Sequence, residues 1–292
     1  MSKNVGIIPI LTTFVNNKID KSKLINHGEH VLKGGMDYLF LAGTTGLGPS
    51  TSMEERRYML DAFSNMPDSI ILQVGSLDLK SSMELTEYAK RLKIHAVGAL
   101  PPYYYNGIKT EWLIDYYVKI SGIYPTMIYN YPATTGYNIT YDIINEINKR
   151  GGNIIGIKET TFNLSDILNV KYYSDNVSVY TGPDEYVLPS YRENLDGFVS
   201  GAGNYAFDIL KKIGENYNNH DGDKYQVLLN KLVNLSKKYG VMSSIYDMVE
   251  IMNGYSAGEP REPFFKISEN NHKNLEKEIN DLLSENKIKL KI

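Results

Sequence analysis

Ile154-Ile155-Gly156-Ile157-Lys158-Glu159-Thr160-Thr161 decides how this 292-residue chain is read. Residues 154–157 are short, mostly β-branched and free of polar groups, the pattern of a strand buried on both faces. Lys158 then falls at the C-terminal end of that strand. A lysine is rarely buried unless something holds it there. An amine taken out of water loses part of its preference for the charged form. A neutral amine attacks carbonyl carbon and forms a Schiff base. The competing reading is a strand cap whose aliphatic stem lies on apolar surface while its ammonium reaches solvent. The rest of the chain decides between them.

Working outward, similar runs occur at Val5–Phe14, Tyr38–Ala42, Ser69–Gly75, Ala96–Leu100 and Thr126–Asn130 upstream, and at Val177–Thr181 and Gly197–Ser200 downstream. Helical stretches separate them. Asp20 caps one that Gly34-Gly35 closes, Ser52 with Glu55 forms a capping-box pattern, and 81–92 is amphipathic. Eight strands alternating with helices predict an α/β fold, a (β/α)8 TIM barrel. An open doubly wound sheet would carry a glycine fingerprint after its first strand, and Thr12-Thr13-Phe14 is not one. From Tyr205 the strands stop, and 208–217, 223–239, 243–253 and 271–289 read as helices. The chain is therefore divided into a barrel over 1–220 that carries the active site and a C-terminal helical appendage over 221–292.

Composition narrows the function classes. Hydrophobic residues make up 42% and charged residues 22%, enough to bury a sizeable core. A net charge of −3 argues against nucleic acid or an anionic membrane as partner. No apolar run reaches the length of a membrane span. Val5–Leu11 lacks a cleavage-site pattern and reads as a strand. Cysteine is absent, which excludes disulfides, thiolate catalysis and thiolate-bound metal and fits a cytoplasmic protein. The five histidines fall on scattered elements. His27 and His30 lie on an expected surface helix and read as solvent-facing, so no metal site is expected.

In a barrel the C-terminal strand ends build the active site, and the unusual residues of this chain gather there. Thr44 and Thr45 stand between glycines, in a loop able to cradle a carboxylate or simply to turn. Tyr129 ends the fifth strand, either as core or as a proton shuttle beside a Schiff-base lysine. Tyr103-Tyr104-Tyr105 is too aromatic for an open loop and suggests a lid or a subunit contact.

The ordered set G-T-T-G-L-G-P-S from Gly43, P-Y-Y-Y from Pro102, Y-N-Y-P from Tyr129 with Thr135-Gly136, and G-I-K-E-T from Gly156 resembles the class I pyruvate-dependent aldolases of the dihydrodipicolinate synthase and N-acetylneuraminate lyase superfamily. Nearly the whole chain shares the likeness, which is greatest to the archaeal-type 2-keto-3-deoxygluconate aldolases. The resemblance implies that Lys158 forms a Schiff base with pyruvate and that Thr44 and Thr45 hold its carboxylate. It implies that Tyr129 carries protons, and that Tyr131, Thr160, Gly182 and Gly201 line the substrate pocket. It further implies that Tyr103 contributes to substrate binding and that its loop reaches across a homotetramer interface. The implied reaction is cleavage of 2-keto-3-deoxygluconate to pyruvate and glyceraldehyde, without metal or other cofactor, in a non-phosphorylative Entner–Doudoroff type of sugar-acid degradation. Two departures point away from the synthase branch: Thr134 replaces its substrate-binding arginine, and Leu47 replaces the usual glutamate after G-T-T-G. Gly107 stands where relatives that take the 6-phosphate carry arginine, and Lys237 or Lys238 stands at a second such place, so the unphosphorylated substrate is expected to be preferred. N-acetylneuraminate lyase, dihydrodipicolinate synthase and a non-catalytic binding barrel remain as alternatives.

Overall fold

The computed structural model describes residues 4–105 and 107–286. In chain order the elements are β1 (Val5–Ile8), a hairpin of β2 (Phe14–Val15) and β3 (Lys18–Ile19), α1 (Lys21–Lys33), β4 (Tyr38–Leu41), α2 (Met53–Ala62), β5 (Ile70–Gln73), α3 (Leu79–Leu92), β6 (Ala96–Ala99), α4 (Thr110–Ser121) and β7 (Thr126–Asn130). Then follow α5 (Pro132–Thr135), α6 (Tyr141–Lys149), β8 (Ile154–Glu159), α7 (Leu164–Tyr173), β9 (Ser178–Thr181), α8 (Val187–Arg192), β10 (Gly197–Val199), α9 (Gly203–Glu215), α10 (His220–Tyr239), α11 (Val241–Asn253) and α12 (Glu269–Glu285). Eight parallel strands close in the order β1-β10-β9-β8-β7-β6-β5-β4. This is the (β/α)8 barrel expected from the spacing of the apolar runs.

Every residue of β5, β6 and β7 is buried, because such strands face side chains inward and helices outward. Ile7, Phe40, Ile71, Ala96, Met127, Tyr129 and Val199 fill the interior. Gly98 makes room for the Phe40 ring: a Cβ there would lie 2.4 Å from it. A larger cluster, including Leu24, Leu60, Leu85, Ile144 and Leu229, occupies the space between strands and helices. The helix starts follow their caps. Asp20 accepts from the Lys23 amide, and Ser52 and Glu55 close the reciprocal capping box.

Two sequence expectations need correction. The first strand ends at Ile8, not Phe14, because Pro9 has no N–H to continue the ladder. Residues 10–13 remain buried but leave the sheet, and Phe14 opens a hairpin whose turn, Asn16-Asn17, has both φ values positive (51° and 62°). His27 is fully buried, not solvent-facing. Its ring bonds Tyr255 Oη at 2.8 Å and Asn204 Oδ1 at 3.0 Å, and burial lowers its pKa to about 4. Its neighbour His30 packs edge-on against Phe207 and Tyr255. The face of α1 that carries both meets the segment after α11, which sequence spacing did not reveal.

The C-terminal helices pack back on the barrel. α10 lies against α9, α11 and α12. The segment after α11 is fastened by Arg261, which pairs with Glu55 of the α2 cap and sits 4.2 Å over the Phe14 ring. The helix expected over 271–289 spans Glu269–Glu285, and 287–289 lie outside the described residues. No helix among the described residues is long and apolar enough to cross a membrane.

Candidate active site

β7 and β8 pair so that Tyr129 stands directly beside Lys158 and Asn130 beside Glu159. Alternation then sends Tyr129 and Lys158 into the barrel and Asn130 and Glu159 outward. Lys158 is 5% exposed, and its Nζ lies 3.8 Å from the centroid of the Tyr129 ring. Tyr129 Oη shares a 3.1 Å hydrogen bond with Thr44 Oγ1. The Tyr129 ring is wedged between Phe40, edge-on, and Tyr131, stacked at 6.0 Å. Lysine, phenol and threonine hydroxyl thus form a continuous chain at the C-terminal mouth of the barrel.

Above them opens a cavity of about 210 Å³. Thr44, Thr45, Tyr129, Tyr131, Lys158, Thr160, Gly182 and Gly201, the residues singled out in the sequence, all line it. Thr160 Oγ1 is buried without a hydrogen-bond partner among the described residues. A Cβ on Gly182 would come within 2.4 Å of that hydroxyl, so any larger residue here would push the Thr160 side chain out of place. Tyr103 is not among the lining residues. It is half-buried.

The Dihydrodipicolinate synthetase family model matches residues 3–282 of this chain. The 2-dehydro-3-deoxy-phosphogluconate/2-dehydro-3-deoxy-6-phosphogalactonate aldolase of Sulfurisphaera tokodaii is 36% identical over 285 residues, 96% of this chain and 97% of that protein. The chain belongs to the dihydrodipicolinate synthetase family. Within it, a solved Sulfolobus sulfataricus 2-keto-3-deoxygluconate (KDG) aldolase, in complex with D-KDPG, superposes with a TM-score of 0.93 at 33% identity, covering 99% of this chain and all of that one. A 4-hydroxy-tetrahydrodipicolinate synthase of Methanococcus maripaludis is 28% identical, over 95% of this chain and 98% of that protein. The similarity is thus greater to these aldolases, carbon–carbon lyases, than to that synthase.

The structure adds residues to this family site that the sequence reading did not select. Asp184, at the end of the loop after β9, lines the cavity and accepts from Ser200 Oγ at 2.5 Å and from the Ala202 amide. Desolvation at the cavity wall pushes its carboxyl up to about 6. Val233, Ser236 and Lys237 of α10 and Val241, Met242 and Ile245 of α11 complete the wall. The C-terminal helices are therefore part of the cavity.

Behind the site, Glu159 is 1% exposed, and desolvation raises its carboxyl to about 7 against the opposing hydrogen bond from Asn130. Both acids bind protons more tightly folded than at their ordinary values of 4.5 and 3.8. Their stabilising contribution is present at low pH and is lost as pH rises through about 6 and 7. The loss is on the order of 3 kcal/mol per group. His27, whose pKa is lowered to about 4, works the other way, because its stabilising contribution is lost as pH falls below about 6.5. The two acids are therefore read by difference: the Tm of wild type relative to the Glu159→Gln/Asp184→Asn variant should fall from pH 5 to pH 8. A difference that stayed constant or grew over this interval would contradict the assignment.

Proposed function

We propose that the protein is a Schiff-base aldolase acting in the cytoplasm on 2-keto-3-deoxygluconate, releasing pyruvate and glyceraldehyde, and that it prefers the unphosphorylated substrate to its 6-phosphate. The observation that carries this reading is the buried Lys158 amine, set against Tyr129, whose hydroxyl is bonded to Thr44, at the base of an open cavity. In free-base form, the amine adds to the C2 ketone and expels water, leaving an iminium. Tyr129 gives its phenol proton to the departing water and, as the phenolate, takes the proton of the C4 hydroxyl. The C3–C4 bond breaks, its electron pair moves into the iminium to give an enamine, and glyceraldehyde leaves. Protonation at C3 and hydrolysis return pyruvate and the free amine. Thr44 and Thr45 supply hydroxyls for the substrate carboxylate, and Tyr131, Thr160, Gly182 and Gly201 line the path of the sugar chain. In this account residues 1–220 carry the chemistry and 221–292 wall the cavity. Pyruvate release from a panel of 2-keto-3-deoxy sugar acids and a sialic acid, with and without chelator, tests it. Turnover of the sialic acid alone would reassign the aldehyde partner.

The preference rests on where this chain places its cations. Lys158 and Lys237 are the cations lining the cavity among the described residues, and Lys237 Nζ is held by Glu185 at 2.9 Å. Lys238 points elsewhere, to Glu278, and Lys109 lies over the Trp112 ring. The 6-phosphate therefore meets a cation already paired with a carboxylate. Each charge-assisted bond it forgoes is worth roughly 1.5–3 kcal/mol. We expect kcat/KM for the free sugar acid to exceed that for the 6-phosphate by about one to two orders of magnitude, and Glu185→Gln to narrow the gap by freeing Lys237. The relative from Sulfurisphaera tokodaii is named for phosphorylated substrates. Equal or higher kcat/KM for the 6-phosphate here would overturn the preference.

We also propose a homotetramer. Leu77, Tyr105 and Trp112, the last 57% exposed, form an apolar face on one side of the barrel, and Tyr104, 74% exposed, packs edge-on against Tyr105. Such a face on a single chain calls for cover. Light scattering should give a multiple of the 33.1 kDa chain mass. A monomer at assay concentration would reject the assembly.

A further inference from the structure

Asn130 and Glu159 follow Tyr129 and Lys158 on adjacent, in-register strands, with their side chains on the outer side of the sheet. Asn130 is fully buried, and each polar group of its side chain is bonded. Its Nδ2 donates to Glu159 Oε2 at 2.8 Å and to Asn138 Oδ1 at 2.9 Å, and its Oδ1 accepts from the Ile139 amide at 3.1 Å. The same two residues also bond through the backbone. The Asn130 carbonyl accepts from the Thr160 amide at 3.0 Å, and the Glu159 carbonyl accepts from the Gly182 amide at 2.7 Å. One cluster thus ties the ends of β7 and β8 to the start of the loop after β9 and to residues 138–139. Those are the backbone positions that carry Tyr129, Lys158, Thr160 and Gly182.

We propose that the Asn130–Glu159 pair is a positioning device for the Schiff-base reaction, resting on the reading of Lys158 and Tyr129 given above. Neither side chain enters the cavity, so neither touches substrate. What they fix is the distance and tilt between two inward side chains that must meet one substrate atom set. A carboxyl at this place is otherwise unfavourable. Thr161 bears on the Glu159 carboxyl, yet among the described residues neither Glu159 Oε1 nor the Thr161 hydroxyl, both buried, has a partner at hydrogen-bond geometry. A buried polar group left partly unpaired costs stability, whereas an apolar residue here would fill the sheet–helix layer without that cost. Asp166, beside a small cavity next to Glu159, is the acid that faces it from α7. The pair costs stability and holds the geometry in which misplacement of about 1 Å costs about 10²-fold in rate.

The test compares Glu159→Gln, Glu159→Leu and Asn130→Ser with wild type, measuring kcat, KM, thermal unfolding and the rate of borohydride trapping with pyruvate. A glutamine side-chain oxygen accepts the same bond from Asn130, so Glu159→Gln should keep kcat within a few-fold. Glu159→Leu and Asn130→Ser should lower kcat and the trapping rate by ~10- to 100-fold while KM changes little. The double variant should cost about as much as either single one, because the pair acts as a unit. If Glu159→Leu does not melt cooperatively, Asn130→Ser carries the test from the other side. A folded Glu159→Leu or Asn130→Ser enzyme with wild-type kcat and trapping rate, or a Gln variant as impaired as the Leu variant, would overturn the proposal. A wild-type enzyme that does not trap pyruvate at all would instead remove the reading of Lys158 on which it rests.

Discussion

Lys158→Met is expected to reduce pyruvate release by on the order of 10⁴- to 10⁶-fold, the scale on which enzymes lose activity with their covalent nucleophile. Methionine suits the replacement because it fills the space of the buried lysine stem and adds no cavity. Its loss should leave binding nearly intact. Thr44, Thr45 and Tyr131 still line the cavity, so a sugar acid should bind with an affinity close to that of the wild type. Isothermal titration with substrate, beside a turnover assay, separates the two effects. Unchanged folding with substrate bound and no pyruvate formed is the expected combination. Residual turnover within about 100-fold of wild type would show that the carbon–carbon bond breaks without this amine.

Tyr129→Phe is the second large effect. Removing the hydroxyl breaks its bond to Thr44 and leaves the ring seated between Phe40 and Tyr131. Packing is conserved, so the fold should hold. A positioned acid–base group contributes about 10² to 10⁴ in rate, and kcat should fall within that range. Schiff-base formation with pyruvate needs no proton from a C4 hydroxyl and should suffer less. Comparing the cleavage rate with the trapping rate in the same variant reads this difference. Equal losses in both would assign Tyr129 to amine positioning, and near wild-type turnover would reduce it to packing.

The parts of the site legible in the sequence were those whose chemistry conflicts with their surroundings. A lysine at the end of an apolar strand and hydroxyls between glycines each break a local pattern, and each lines the cavity. Strand ends could be counted because buried parallel strands leave unbroken apolar runs. Other features obey the local pattern and so gave no signal. Ser236, Lys237 and Met242 sit on amphipathic helices, where periodicity reports burial but not which surface covers the helix. Asp184 reads as an ordinary loop acid until Ser200 and Ala202 close on it. Asn130 reads as one more strand residue, because its partner Glu159 is 29 positions away. The hairpin at 14–19 did carry a local signal, two asparagines suited to positive φ, within a run that otherwise continues the first strand.

Borohydride reduction in the presence of pyruvate, followed by peptide mass mapping, tests the central claim most directly. A Schiff base reduced in place leaves a stable secondary amine, so the modified lysine can be identified without any assumption about rate. The account predicts one pyruvyl adduct per chain, on the peptide containing Lys158, and none in Lys158→Met. An adduct on another lysine, or labelling that persists in Lys158→Met, would contradict it.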